Sequence, residues 1–195
     1  MLVLLNGRPG AGKLTIGRVL AARLGARLLD AHSLYNLAFA LTDKGTAAFA
    51  DTVRALRALA RTRILDLPAG EPVILTDAKF ADSAWGNELW DDTLAIARER
   101  GVPLLVVVVE CEPSENDRRL RSPERMGKRK PVDDTLLRAD RHGRVLLRRD
   151  ADGVLELDVT RLAPGEAAGR IERWLAERGE GPDAERVAPA ARRGE

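Results

Sequence analysis

At 195 residues, with no long polar or proline-rich stretch before its last segment, the chain has the length of one compact α/β domain rather than two. Its 32 basic and 30 acidic residues leave a formal charge of +2, so the pI near 9.0 reflects a slight excess and is poor evidence for nucleic-acid binding; the near-balanced charge makes nucleic acid an unexpected partner. A single cysteine, Cys111, excludes an intramolecular disulfide, and with two histidines, His32 and His142, the chain is short of ligands for a structural zinc site.

The hydrophobic fraction of 45% suffices for a core, and the charged fraction of 32% can clothe helices on both faces of a sheet. No apolar run approaches the roughly 18 residues that a membrane helix needs. The N-terminus runs directly into a strand pattern, without a basic leader or a cleavage site. A cytoplasmic protein without a membrane partner is expected, as a monomer or homodimer.

The first element carries the most information. A short apolar run, Leu2 to Leu5, ends at Asn6, a turn rich in Gly and Pro follows, and Lys13 opens a stretch with helical spacing. The spacing Gly7-x4-Gly12-Lys13 fits a phosphate-binding loop between strand and helix. Gly7, Gly10 and Gly12 permit backbone angles and close approach that a Cβ would obstruct. The loop amides and the helix N-terminus then favour an anion, and Lys13 adds a full charge that reaches the β- and γ-phosphates. Arg8, Pro9, Ala11, Leu14 and Thr15 complete the candidate nucleotide-binding stretch. One residue departs from the pattern. After Gly-Lys a Ser or Thr normally offers its hydroxyl to Mg²⁺, and here that position is Leu14. Thr15 comes one residue late, a rotation of about 100° around a helix.

Leu14, Ile16, Val19, Leu20 and Leu24 recur at helical spacing, and Gly25 ends that helix. Ala26 to Leu29 predicts a short strand stopping at Asp30, with His32 and Ser33 opening the next helical segment. Residues 34 to 66 read as helical with a break around Thr42 to Thr46, and Arg54, Arg57, Arg61 and Arg63 read as a solvated face. Pro72 to Thr76 predicts a third strand ending at Asp77, and Trp85 to Arg100 an amphipathic helix closed by Gly101. Leu104 to Val109 is the unbroken run of a strand covered on both faces, with Cys111 as a strand-end core residue. A helix is expected from Pro113 to Leu120, a strongly basic segment over 121–131, and a helix from Val132 to Asp140. A last strand at Val154 to Val159 and a helix from Pro164 to Arg178 precede a tail without periodicity, expected to be disordered. Strands alternating with helices imply a parallel sheet between helical layers. In such folds ligands collect beyond the strand C-termini, where Asn6, Asp30, Asp77 and Glu110 stand.

The chain resembles the P-loop small-molecule and nucleotide kinases, a group that includes shikimate kinase, gluconate kinase, chloramphenicol phosphotransferase and the nucleoside monophosphate kinases. Four stretches carry the resemblance: the loop from Gly7 to Thr15, Leu28-Leu29-Asp30-Ala31-His32, the run from Glu115 to Arg125, and the run from Leu157 to Ala168. The wording Gly-Lys-Leu-Thr looks like a bacterial subgroup described as AAA-family ATPases. The resemblance implies a three-layer α/β/α P-loop NTPase fold over residues 1–178, with five parallel strands and a helical basic lid at about 115–131. It implies ATP and Mg²⁺ as cofactors, with Lys13, Asp30, Arg118, Arg121 and Arg125 as catalytic residues. The lid arginines would close on the transferred phosphoryl group, and Asp30 would bind the acceptor hydroxyl or take its proton. Read from residue type alone, those arginines are equally a solvated helix face, and Asp30 is equally a helix N-cap. With Leu14 unable to offer oxygen, Asp77 is the candidate metal ligand, with Asp30 behind it. Asp158 and Thr160 fall where the family holds the adenine ring. Tyr35, Asn36, Phe39 and Trp85 could line an acceptor pocket or belong to the core. The function expected is transfer of the ATP γ-phosphoryl group to a hydroxyl of a small-molecule acceptor. A nucleotide-binding regulatory or degenerate protein is the alternative that Leu14 motivates.

Overall fold

The strand β1 (Leu2–Gly7) is buried at every position because it is the middle strand of a five-stranded parallel sheet ordered β2-β3-β1-β4-β5. A strand covered on both faces needs an unbroken apolar run rather than alternation, which Leu2-Val3-Leu4-Leu5 supplies. The computed structural model describes residues 1–122 and 143–179; the helix expected over 132–140 and the tail beyond 179 lie outside them. The other strands are β2 (Arg27–Asp30), β3 (Val73–Asp77), β4 (Leu104–Glu110) and β5 (Gly153–Asp158). The described helices are α1 (Lys13–Leu24), α2 (Ala31–Leu41), α3 (Ala47–Leu65), α4 (Ala84–Arg100), α5 (Pro113–Leu120) and α6 (Pro164–Gly179). None of them is long and apolar enough to cross a membrane.

Successive strand residues point to opposite faces, and two cores result. Leu2, Leu4, Leu75, Val106 and Val108 pack with Ile64 of α3 and Trp90, Leu94 and Ile96 of α4. Val3, Leu5, Ile74, Val107 and Val109 pack with Ile16 and Leu20 of α1 and Ile171 and Leu175 of α6. The three-layer α/β/α arrangement follows. Its register gathers the strand C-termini along one edge: Asn6 opposite Asp77, Gly7 opposite Val109, Asp30 opposite Thr76 and Glu110 opposite Asp158.

The break between α2 and α3 falls where the sequence places it. Thr42 is extended, with φ −143°, and the Thr46 hydroxyl caps α3 by accepting from the Phe49 N–H. The arginine face of α3 requires correction. Arg54 and Arg63 are solvated, but Arg57 and Arg61 turn inward and pair with Asp77 and Asp92, so that face is part of the packing. Arg57, Arg61 and Ile64 lie at spacings of four and three residues, one side of a helix. The arginine heads reach acids on β3 and α4.

Candidate nucleotide-binding site

β1 delivers the chain into a tight loop at Gly7. The Ala11 N–H donates to the Arg8 carbonyl at 3.2 Å, Gly10 and Gly12 adopt φ of 88° and 90°, and α1 starts at Lys13. Proximity forces Gly7, and proximity adds to angle at Gly10. A Cβ on Gly7 would lie 2.4 Å from the Val109 carbonyl oxygen on β4, and one on Gly10 would lie 2.8 Å from Leu120 of α5. The Lys13 ammonium donates to the Gly7 and Arg8 carbonyls at 2.6 and 2.8 Å, which holds it at the rim of the loop. The first turn of α1 has no acidic residue, so nothing there offsets the positive end of the helix for an incoming anion.

α5 braces the loop from the side. The Asn116 amide donates to the Pro9 carbonyl at 2.9 Å, and Arg119 donates to the carbonyls of Ala11 at 3.5 Å and Val159 at 2.8 Å. Between α5, α1 and the end of β5 lies a cavity of about 310 Å³ lined by Gly12, Thr15, Arg118, Arg119, Val159 and Leu162 among others. Its apolar wall and planar guanidinium suit a flat aromatic base beside the phosphate loop. Arg119 escaped the sequence reading; the one local signal was its spacing of four from Glu115, whose carboxyl Arg118 and Arg119 hold down at about 2. Arg118 is 72% exposed and bound to Glu115, Arg121 is exposed just past α5, and Arg125 lies outside the described residues. Asp158 accepts from the Thr160 N–H and hydroxyl at 2.8 and 2.5 Å, and the Thr160 hydroxyl accepts from the Glu112 N–H at 2.9 Å. Both side chains therefore build the turn after β5. Val159, between them, is what lines the cavity.

On the other side of the loop, Asn6 is fully buried and acts as a knot. Its amide donates to the Lys79 and Leu147 carbonyls at 3.1 and 2.9 Å, and its side-chain oxygen accepts from the Lys79 N–H at 2.8 Å. An antiparallel bridge between Phe80 and Leu146 continues that seam. Arg8 donates to the Arg144 carbonyl at 2.7 Å, and the guanidiniums of Arg8 and Arg144 lie 5.6 and 4.1 Å from the centre of the Phe80 ring.

The predicted acceptor side is built on β2 and β3. Asp30 stands at the N-cap position of α2 but makes no side-chain cap bond. Its carboxylate accepts from the Thr76 hydroxyl at 2.5 Å instead. Asp77, the candidate metal ligand of the sequence reading, has its oxygens held by the Ala78 N–H at 2.8 Å, Arg57 at 3.4 Å and Lys79 at 3.8 Å, with its side chain 9% exposed. Lys79 is 1% exposed; its ammonium donates to the Leu89 carbonyl at 2.8 Å and to the Thr93 hydroxyl, and burial pulls it down to about 8 against the pull of Asp77. Arg57, Arg61, Asp77, Lys79 and Asp92 border a cavity of about 30 Å³, room for a water molecule. Tyr35, Phe39 and Phe49 pack on one another between α2 and α3, while Asn36 is exposed. The Tyr35 hydroxyl accepts from the Trp85 indole N–H at 3.2 Å and is pushed up to about 12, first by burial and then by Asp77. Cys111, half-buried past β4, accepts from the Asn116 amide at 3.6 Å. Among the described residues no group of three His, Cys, Asp or Glu is placed to hold a metal. With Leu14 in the hydroxyl position and Asp77 engaged by cations, the described residues around the loop do not fit an Mg²⁺ ion held by protein oxygens.

A central parallel strand, a glycine loop with an inserted lysine and a helix N-terminus aimed at one spot define a P-loop nucleotide-binding protein. A family model described as an AAA domain matches residues 2–143, and the chain belongs to that family. A search of curated proteins finds no match. Among solved structures the fold is similar to a candidate kinase from Chloroflexus aurantiacus, with a TM-score of 0.65 at 18% identity over 90% of this chain and 96% of that one. It is also similar to a sugar kinase from Janibacter sp., with a TM-score of 0.56 at 19% identity over 90% and 94% of the two chains. The APS kinase of Mycobacterium tuberculosis, solved with AMPPNP and APS, gives 0.55 at 18% over 90% and 96%. The fold is that of the P-loop small-molecule kinases.

Proposed function

We propose that this chain is an ATP-dependent phosphotransferase that moves the γ-phosphoryl group to a hydroxyl of a small molecule. The observation that carries the reading is the built phosphate loop: glycines at φ 88° and 90°, the Lys13 ammonium at the rim and the open N-terminus of α1 on one spot. The loop amides and Lys13 would bind the phosphates, and the cavity beside Arg119 would take the base. The acceptor oxygen would attack phosphorus in line as the bond to the ADP oxygen breaks, and the hydroxyl proton would pass to Asp30 or to solvent. Arg118 and Arg121 would supply guanidinium donors to the charge spread over the transferred group. Arg125 belongs with them on its place in the sequence alone. The kinase folds among the structural neighbours support this reading.

Leu14 favours a second reading, a protein that binds nucleotide and transfers nothing. ADP release, measured with and without a mixed pool of metabolites and antibiotics, separates the two. A pool-stimulated rate that Lys13→Ala and Asp30→Asn both lose is the expected result. Tight nucleotide binding with no stimulation by any pool favours the second reading.

A further inference from the structure

We infer that nucleotide binding at this loop is independent of a divalent cation, because the phosphate charge is met by the chain's own cations and amides and, among the described residues, neither the position after Lys13 nor the strand end beside the loop offers a metal an open oxygen. The inference rests on the reading that the loop binds nucleotide, and it concerns how, not whether.

Four positions bear on whether the protein offers an oxygen. The residue after Lys13 is Leu14, an aliphatic side chain on the first turn of α1. The hydroxyl of Thr15 is no substitute, since Thr15 lines the cavity against α5, beside Glu115 and Arg118, a helical rotation of about 100° away from the position after the lysine. Asp77 ends the strand next to the loop strand, in register with Asn6. Its carboxylate is spent: a backbone N–H, Arg57 and the fully buried Lys79 surround it, and a metal would have to enter beside two fixed positive charges. Asp30 sits on the edge strand, separated from the loop strand by β3, and accepts from Thr76. Mg²⁺ is ordinarily bound by one or two carboxylates together with substrate phosphates. Here the carboxylate on the strand beside the loop, Asp77, is held by two cations and a backbone N–H.

The charge a metal would neutralise has other partners. The Lys13 ammonium is already seated among the loop carbonyls, the α1 N-terminus has no acid in its first turn, and Arg119 spans the loop at Ala11 and the base cavity. By linkage, a cation that gains no ligand from the protein binds protein-held nucleotide no better than free nucleotide, so it leaves the nucleotide affinity unchanged. Any cation that arrives on the phosphates is then carried by the phosphates and water.

The test is calorimetric titration of the full chain with ATP and with ADP, in saturating magnesium and in excess EDTA, for wild type and Leu14→Thr. The expected wild-type dissociation constants agree within about twofold between the two buffers, and magnesium tightens binding to Leu14→Thr by about tenfold as the hydroxyl restores a ligand. Manganese titrated into nucleotide-loaded wild type binds with the affinity it shows for the free nucleotide. A wild-type affinity that falls about tenfold or more in EDTA overturns the inference while leaving the nucleotide site intact. Absence of nucleotide binding in both buffers overturns the underlying reading, and the inference with it.

Discussion

Lys79 carries an uncompensated cost in the described core. Its ammonium is 1% exposed, and one carboxylate at 3.8 Å with two hydrogen-bond acceptors offsets only part of the desolvation, so the group sits at about 8 instead of 10.5. The linkage sign is that of a base with a lowered folded value. Below pH 8 both states are protonated and the cost is present in full. Between about 8 and 10.5 the unfolded chain holds a proton that the folded one has lost, so stability rises with pH. We expect urea unfolding of wild type to gain about 1.4 kcal/mol per pH unit over that window relative to Lys79→Met. Tyr35, pushed up to about 12, acts with the opposite sign and only above about 10. Parallel slopes for the two proteins would show that Lys79 does not titrate there. Nothing local in Thr-Asp-Ala-Lys announces this burial: the run reads as a polar loop after a strand, and the partners Leu89 and Thr93 sit a helix turn apart on α4. Arg57 and Arg119 were hidden for the same reason, since their roles depend on acids and carbonyls far away in the chain.

At the scale of elements the sequence is far more legible. Unbroken apolar runs gave β1 and β4, glycines closed α1 and α4 as left-handed C-caps at φ 61° and 64°, and the loop glycines were identified from spacing alone. What spacing could not reveal is how α5 seats on the loop. Gly10 combines φ 88° with Leu120 and Asn116 at 2.8 and 2.9 Å from an added Cβ, whereas Gly25 has φ 61° and open space around it. The two positions therefore separate backbone angle from contact. Gly25→Ala should cost about 1–2 kcal/mol of stability and leave nucleotide affinity unchanged, the cost of a left-handed residue alone. Gly10→Ala should cost about 1–3 kcal/mol for the strained backbone with overpacking added, and should also weaken nucleotide binding as α5 is pushed off the Pro9 carbonyl. Denaturant midpoints and ADP titrations of both variants check this. Equal affinity in both would mean that α5 seating does not shape the loop.

For the molecule as a whole, the strand order places the loop between β3 on one side and β4 on the other, where the chain's path across the sheet reverses direction. Both cores end beneath that point, one through α1 and α6 and the other through α3 and α4. A ligand seated there contacts groups assembled from most of the chain and absent in the unfolded state, so binding must raise global stability. With ADP at a hundred times its dissociation constant the gain is about 2.7 kcal/mol, which for a chain of this length corresponds to a rise in melting temperature of roughly 5–10 °C. Lys13→Ala should melt near the wild-type temperature without nucleotide, because the residue is at the loop rim rather than in either core. It should lose most of the ADP-dependent rise. A variant that keeps the whole rise would place the nucleotide away from the loop, since no ligand held by the Lys13 charge could stabilise both proteins equally.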